Sequence, residues 1–410
     1  MQNVLLIVTQ DTKKEEAAFI REVLEGAGVT VIHMDPSVRQ DLGGAEIGPD
    51  ALAASLGLTM EDIRAIGHEG QILEKMTEAA IKVALELAER RPIAGILSIG
   101  GSMGTTLGTS VMRAFPYGVP KVMISTLSSG FTAGFVGVKD ILMLNSVCDI
   151  SGLNSISRDV YRNGALSVAG MARGYRHNST QDRPLVLVST LGTTESCARR
   201  VREGLEAAGC EVMVFHTTGN GGRTLETICA ERDVALVIDM SLVEINDALN
   251  NGICAVGPER GRTAIGKGTP VIFAPGNIDF YIMPSQTAVG DDPYEGRAYH
   301  IHNSALTAVR TNEADLQRLA NHMAELQADA RSAVEFFVPL QGFSSHDSSE
   351  GRLHRPDLPP LFAAYCEKVF PANVRLRKID AHINDALFAE GLIASARDLL
   401  AARRSVGAMV

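Results

Sequence analysis

The chain alternates between two hydrophobic patterns. Short, nearly unbroken apolar runs occur at Val4–Thr9, Val29–Met34, Ile93–Ile99, Val119–Thr126 and Ile141–Val147. They return at Leu185–Thr190, Cys210–Phe215, Val234–Met240, Thr269–Pro275, Val334–Leu340 and Val374–Ile379. Between them lie stretches with apolar residues at helical spacing. Glu15–Glu25 carries Phe19, Ile20, Val23 and Leu24, and Glu74–Arg90, Ser157–Ala172, Ala314–Ala330 and Pro359–Val369 are similar. Ala51–Leu56 and Met60–Ile66 predict short helices, and a last helix ends near Arg404. Strands buried on both faces read as unbroken apolar runs, and their alternation with helices predicts βαβ units around parallel sheets.

The pattern repeats. REVLEGAG at 21–28 aligns with REGLEAAG at 202–209, an offset of 181 residues that also pairs Val4–Thr9 with Leu185–Thr190. This predicts an internal duplication. The polar, proline-ended stretch Arg176–Pro184 places the boundary between them. The expectation is two related, doubly wound α/β domains with mostly parallel sheets, 1–180 and 181–410.

Ligands in such sheets bind at the carboxyl ends of the strands. Ile93–Ile99 runs into Gly100-Gly101-Ser102-Met103-Gly104-Thr105 and then a helical pattern. A strand, a glycine-rich turn and a helix start make an anion cradle, with free N–H groups and the Ser102 and Thr105 hydroxyls as donors. The same turn can also serve as a sharp reversal that binds nothing. It is neither a phosphate-binding loop ending in Gly-Lys-Ser/Thr nor the Gly-x-Gly-x-x-Gly fingerprint. A second small, hydroxyl-rich turn, Leu127-Ser128-Ser129-Gly130, follows the next strand. Asp11 and Asp35 stand at the ends of the first two strands, where Asp11 can equally cap a helix. In the second half the central strand runs instead into Ser241-Leu242-Val243-Glu244, so the glycine cradle is missing there.

Composition narrows the field. The 410 residues are 45% hydrophobic and 21% charged, an ordinary globular mix. The formal charge of −10 argues against a general nucleic-acid binder. No apolar run is long enough to span a membrane, and the start reads as mature and cytoplasmic. Cysteines 148, 197, 210, 229, 254 and 366 are scattered, which predicts free thiols and neither a metal site nor a disulfide framework.

Candidate chemistry is sparse. The nucleophile elbow of a Ser-His-Asp hydrolase is missing. A kinase-like site could use Lys13 with Asp11 or Asp149. Arg260 and Arg262, in Gly257–Thr263, could meet a charged ligand in a cleft between the domains. His300 and His302 share strand spacing, without a Glu or Cys nearby to complete a metal site. His382 precedes the final helix. Arg260, His300, His302 and His382 are the expected substrate cleft, suited to a small acidic metabolite.

The motifs together resemble a family. DTK at 11–13, SIGGSMGTTLGT at 98–109, PKVMISTLSSG at 120–130, NSVCDISGLN at 145–154 and NGALSVAGMA at 163–172 resemble the N-terminal ATP-binding region of the tomato mosaic virus resistance protein. Uncharacterised bacterial and fungal relatives share this region. GPER at 257–260, PGNIDF at 275–280, HNSALTAVRT at 302–311, PLQGFSSHD at 339–347 and HINDALFAE at 382–390 continue the match over essentially the whole chain. The resemblance implies two Rossmann-like subdomains, ATP in the N-terminal one and self-association, with a homodimer as the expectation. Carried over by position, the nucleotide contacts are Asp11, Thr12, Lys13, Gly100, Gly101, Ser102, Gly104, Thr105, Ser125, Thr126, Ser128, Ser129 and Gly130. Asp149 and Asn154 lie nearby. Where members tend to have Asp-Arg-Gly, this chain has His68-Glu69-Gly70.

The resulting expectation is a cytoplasmic ATP-binding protein using Mg²⁺, an ATP-dependent enzyme on a small acidic metabolite or a subunit of one. A non-catalytic regulatory nucleotide module is the alternative from another class. A cleft hydrolase or lyase with vestigial nucleotide affinity is the third.

Overall fold

The computed structural model describes residues 1–176, 182–285, 294 and 296–407. They fall into two compact units, Met1–Ser179 and Thr180–Val410. The predicted boundary at 180/181 lies within 177–181, outside the described residues.

In the first unit β1 (Asn3–Ile7), β2 (Thr30–Met34), β3 (Ile93–Gly100), β4 (Lys121–Ser125) and β5 (Leu142–Asn145) form a parallel sheet in the order β2-β1-β3-β4-β5. Side chains alternate across it. Val4 and Leu6 pack with Ala17, Ile20 and Leu24 of helix Gln10–Gly26 and with Tyr161, Ala165 and Val168 of helix Ser155–Gly174. Leu5 and Ile7 pack on the opposite face with Met76 and Ala80 of helix Glu69–Arg90 and Leu107 and Val111 of helix Ser102–Ala114. Each Val, Leu, Ile or Met side chain among these contributes about 1.5–3 kcal/mol on burial, and burial on both faces is why β1 reads as an unbroken apolar run. Helix Glu69–Arg90 begins earlier than the predicted Glu74. His68 caps it by accepting the Gln71 N–H at 3.4 Å, and Ile72 and Leu73 already keep the helical spacing.

The second unit repeats this plan. β6 (Leu185–Thr190), β7 (Glu211–His216), β8 (Val234–Asp239) and β9 (Val271–Phe273) stand in the order β9-β8-β6-β7, matching β4-β3-β1-β2. The helix after the first strand ends alike in both units. Gly28 and Gly209 take φ of 81° and 85°, and each donates its N–H at 3.0 Å, to Glu25 and Glu206 respectively. A side chain would be strained there, which is why both aligned motifs end in glycine.

After β9 the units diverge. β10 (Phe280–Pro284), β11 (Tyr299–Ile301) and β12 (Leu306–Arg310) form an antiparallel sheet in the order β10-β12-β11. β13 (Val334–Pro339) and β14 (Val374–Ile379) then extend the parallel sheet to β14-β13-β9-β8-β6-β7. The antiparallel sheet corrects the expected strand pairing of His300 and His302. β11 stops at Ile301, and His302 begins the turn, its N–H donating to Leu306 at 2.9 Å.

Candidate ligand-binding site

The strand order of the first unit reverses between β1 and β3, and a cavity of about 570 Å³ opens at their carboxyl ends. A crevice at this point and of this size is where doubly wound sheets bind small ligands. Ser98 Oγ donates to the Ile7 carbonyl at 2.8 Å, locking β3 to β1 beneath it.

Two loops make the polar lip. The first is the glycine turn. Gly101 caps helix Ser102–Ala114, and the N–H groups of Ser102, Met103 and Gly104 have no partner within the helix. A side chain at Gly100 would come within 2.7 Å of the Gly104 backbone, so the turn itself demands that glycine. Gly101 is different. Its φ is −75°, and a Cβ at this position would find its nearest neighbour, Thr126 Oγ1, at 3.9 Å. Among the described residues no protein atom comes close enough to require a glycine at 101, so the turn leaves open space beside its backbone there.

The second loop runs from β2 into the following turn and is tied to the first helix. Asp35 is fully buried, and its Oδ1 accepts the N–H groups of Gln10 and Ser37, each at 3.0 Å, and the Ser37 hydroxyl. Ser37 Oγ accepts the Asp11 N–H at 3.0 Å, and Asp11 Oδ2 accepts the Arg39 N–H at 3.1 Å. Asp11 therefore fixes the 37–39 turn. Lys13 departs from helical geometry (φ −140°, ψ 39°), and its Nζ donates to the Ile150 carbonyl at 3.3 Å.

Of the expected nucleotide contacts, Asp11, Thr12, Lys13, Gly101, Ser102 and Gly104 line the cavity. The others take different work. Thr105 and Ser125 are fully buried and share a hydrogen bond at 2.7 Å, joining the helix to β4. Ser128 Oγ donates to the carbonyls of Ser125 and Leu144. Asn154 Oδ1 accepts the Ser157 N–H at 2.9 Å and caps helix Ser155–Gly174. Asp149 accepts the N–H of its neighbour Ile150. Gly100, Thr126, Ser129 and Gly130 are outside the lining as well. Sequence reasoning missed Arg39 and Glu69 at the lip, and the apolar wall of Val38, Ile72, Leu73, Met76 and Leu107.

At the corresponding strand ends of the second unit, buried polar side chains bond to one another. After β8 comes Ser241, whose Oγ shares a 2.6 Å hydrogen bond with Thr217 and accepts Asn277 Nδ2 at 2.8 Å. Asn277 Nδ2 also donates to Thr194, and Thr193 donates to Asn277 Oδ1. Arg260, expected on a substrate cleft, lies in this region and is buried among carboxylates. It is 3% exposed, and its guanidinium donates to Asp239 and, at 2.7 Å, to Glu244, with Glu226 at 3.7 Å. Burial alone would lower its pKa, but these carboxylates raise it instead, holding the charge.

The three histidines do come to one region of the second unit. His300 packs its ring 4.6 Å from that of His346, which sequence reasoning missed, and its Nδ1 is buried without a partner. Burial, with His300 and His302 nearby, pushes His346 down to about 4, so it is neutral at pH 7. His382 Nδ1 accepts the Asn384 N–H at 3.1 Å, so Nε2 carries the proton and donates to the Ser344 carbonyl at 2.8 Å. Among the described residues no group of His, Cys, Asp and Glu is arranged to hold a metal ion.

Beneath them Asp347 accepts from Arg310 at 3.1 Å and from the Arg355 N–H at 2.9 Å. Burial, then the neighbouring Asp279, raises Asp347 to about 7, and burial raises Asp247 to about 7. Both carboxyls hold a proton in the folded state that the unfolded chain releases near 3.8. Their contribution to stability is therefore full below about pH 4 and lost as pH rises through 7. Urea midpoints of the second unit measured from pH 4 to 8 are expected to carry this downward component. Replacing Asp247 with Asn removes part of the slope; an unchanged slope would contradict the assignment for that residue.

Fold and cavity define a duplicated, doubly wound α/β protein with a crevice at the switch point of its N-terminal unit. The chain belongs to the uncharacterised protein family UPF0261, whose N-terminal domain matches residues 2–177 and whose C-terminal domain matches 183–400. It is 33% identical over 406 residues to a UPF0261 protein of Clostridium tetani, covering 97% of this chain and 98% of that one. It is 30% identical over 420 residues to the ToMV resistance protein Tm-1(GCR237) of Solanum lycopersicum, covering 96% of this chain and 55% of the tomato protein. Among solved structures, a pyrethroid hydrolase from Sphingobium faniae aligns with 54% of this chain and 99% of its own at 13% identity and a TM-score of 0.29, too slight a likeness to carry an activity. No helix among the described residues is long and apolar enough to cross a membrane.

Proposed function

We propose that the protein binds ATP, with Mg²⁺, in the cavity of its N-terminal unit. The observation that carries this reading is the cavity itself: an apolar wall beside a lip that combines a free helix N-terminus with Lys13 and Arg39. The wall suits a purine, and the lip suits phosphate. Asp11 and Glu69 at the same lip balance the two cations, which favours a polyphosphate arriving with its divalent cation over a bare one.

Calorimetric titration with ATP and Mg²⁺, against AMP and the dinucleotides, tests the reading. Selective heat of binding for ATP is expected; no binding of any nucleotide overturns it. Phosphate release in the presence of small carboxylic acids then separates an ATP-dependent enzyme from a regulatory module that binds without turnover. A cytoplasmic location and self-association belong to the same proposal, the latter read by sedimentation equilibrium.

A further inference from the structure

We propose that Arg39 is a second phosphoryl anchor, and that the ligand carries a phosphoryl group beyond the one seated at the Ser102 helix N-terminus. This rests on reading the cavity as a nucleotide site.

Two observations at the end of β2 carry it. First, the Asp35 carboxylate is not offered to a ribose. It is fully buried and not among the residues lining the cavity; its Oδ1 accepts two backbone N–H groups and the Ser37 hydroxyl, and its Oδ2 is buried without a partner. A carboxylate in this place is what a doubly wound sheet uses to hold ribose hydroxyls. Here it is part of the framework, and the cavity wall continues with Pro36, Val38 and Arg39 instead. The group exposed to a ligand at this edge is a cation, not an acceptor for hydroxyls.

Second, the backbone of Arg39 is held while its side chain is not. Asp11 Oδ2 accepts the Arg39 N–H, and the Ser37–Asp35 network fixes the residues before it. Arg39 is among the residues lining the cavity and is exposed, and its side chain has no hydrogen bond or ion pair among the described residues. A five-donor fork on an anchored loop is suited to bidentate capture of phosphate. The helix N-terminus at Ser102–Gly104 can seat one phosphoryl group with its own N–H donors. A cation on the other loop of the same cavity has most to offer a group beyond the one held there. It gains a role when a second phosphoryl group is present.

That second group can belong to a polyphosphate chain or to a phosphorylated ribose, and the probes separate them. ATP, adenosine 2′,5′-bisphosphate and AMP are titrated into the parent and into Arg39→Ala. The variant keeps the N–H that Asp11 accepts, so the loop is retained. The parent is expected to bind ATP or the bisphosphate at least about tenfold more tightly than AMP. Arg39→Ala is expected to erase that margin while leaving AMP within about twofold, and Arg39→Lys to keep part of it. Preference for ATP identifies the chain; preference for the bisphosphate identifies the ribose phosphate. A margin that survives in Arg39→Ala, or a parent that binds AMP as tightly as both probes, overturns the inference and leaves the nucleotide reading intact. A parent that binds none of the three overturns the nucleotide reading, and the inference falls with it.

Discussion

Arg260→Ala is expected to destabilise the second unit by roughly 3–5 kcal/mol, the cost of leaving buried charge without its partner. Asp239 and Glu244 are 1% and 0% exposed, and both accept from the Arg260 guanidinium. Removing it leaves those two carboxylates and Glu226 facing one another in a region that water does not reach. Glu244 keeps the Gly219 and Gly222 N–H groups at 2.8 and 3.0 Å, which softens the loss without neutralising the charge. Urea denaturation at pH 7 measures the effect. Arg262→Ala is the control, since Arg262 is exposed and its side chain donates to the Pro258 carbonyl alone among the described residues. Its shift is expected to stay within about 0.5 kcal/mol. A loss below about 1 kcal/mol would mean that the three acids are held by something other than Arg260.

Gly101→Val is expected to lower ATP affinity by about 100-fold or more, some 3 kcal/mol at tenfold per 1.4 kcal/mol, while leaving the fold intact. The φ of −75° accepts any residue, and 3.9 Å of clearance to Thr126 Oγ1 leaves the first side-chain atom room. The branched side chain then stands at the lip, over the N–H groups of the helix N-terminus. Gly108→Ala, in the same helix, is the opposite case. Its Cβ would lie 2.3 Å from Ser98 Oγ and 2.7 Å from Ser98 Cβ, within a fully packed face. Overpacking of that kind costs about 1–3 kcal/mol, and it is expected to appear as lost stability. Circular dichroism melts and ATP titrations on both variants separate the two roles. Undiminished binding by Gly101→Val would place the ligand away from the glycine turn.

How much of this is legible in the sequence depends on local physics. Strands buried on both faces announce themselves as apolar runs, so β1, β3, β6 and β14 are readable to within a residue or two. The duplication is readable because Gly28 and Gly209 occupy a backbone conformation that side chains disfavour. The glycine turn is readable for another reason, the close approach of the Gly100 and Gly104 backbones that leaves no room for a side chain. Arg39 is not, because it sits in a loop without periodicity and its place is set by hydrogen bonds to Asp11 and through Ser37 and Asp35. The burial of Thr105 and Ser125 is hidden as well. Hydroxyls on facing turns look like ligand donors in a sequence, whereas these two satisfy each other across the β3–β4 pair. The short strands β10, β11 and β12 carry too few residues each to show an alternating pattern, so a histidine pair at strand spacing reads as one face although the strand stops between them. Arg260 reads as a surface cation because its carboxylate partners are distant in sequence.

The two halves share one plan, yet their crevices differ in a way that fixes a count. In the C-terminal half, hydroxyls, an amide and an ion cluster bond to one another at the strand ends that correspond to the cavity of the N-terminal half. Duplication would ordinarily suggest a molecule with two equivalent seats. Here the saturation stoichiometry of a switch-point ligand is expected to be one equivalent per chain, its isotherm fitting identical, independent sites without a second phase.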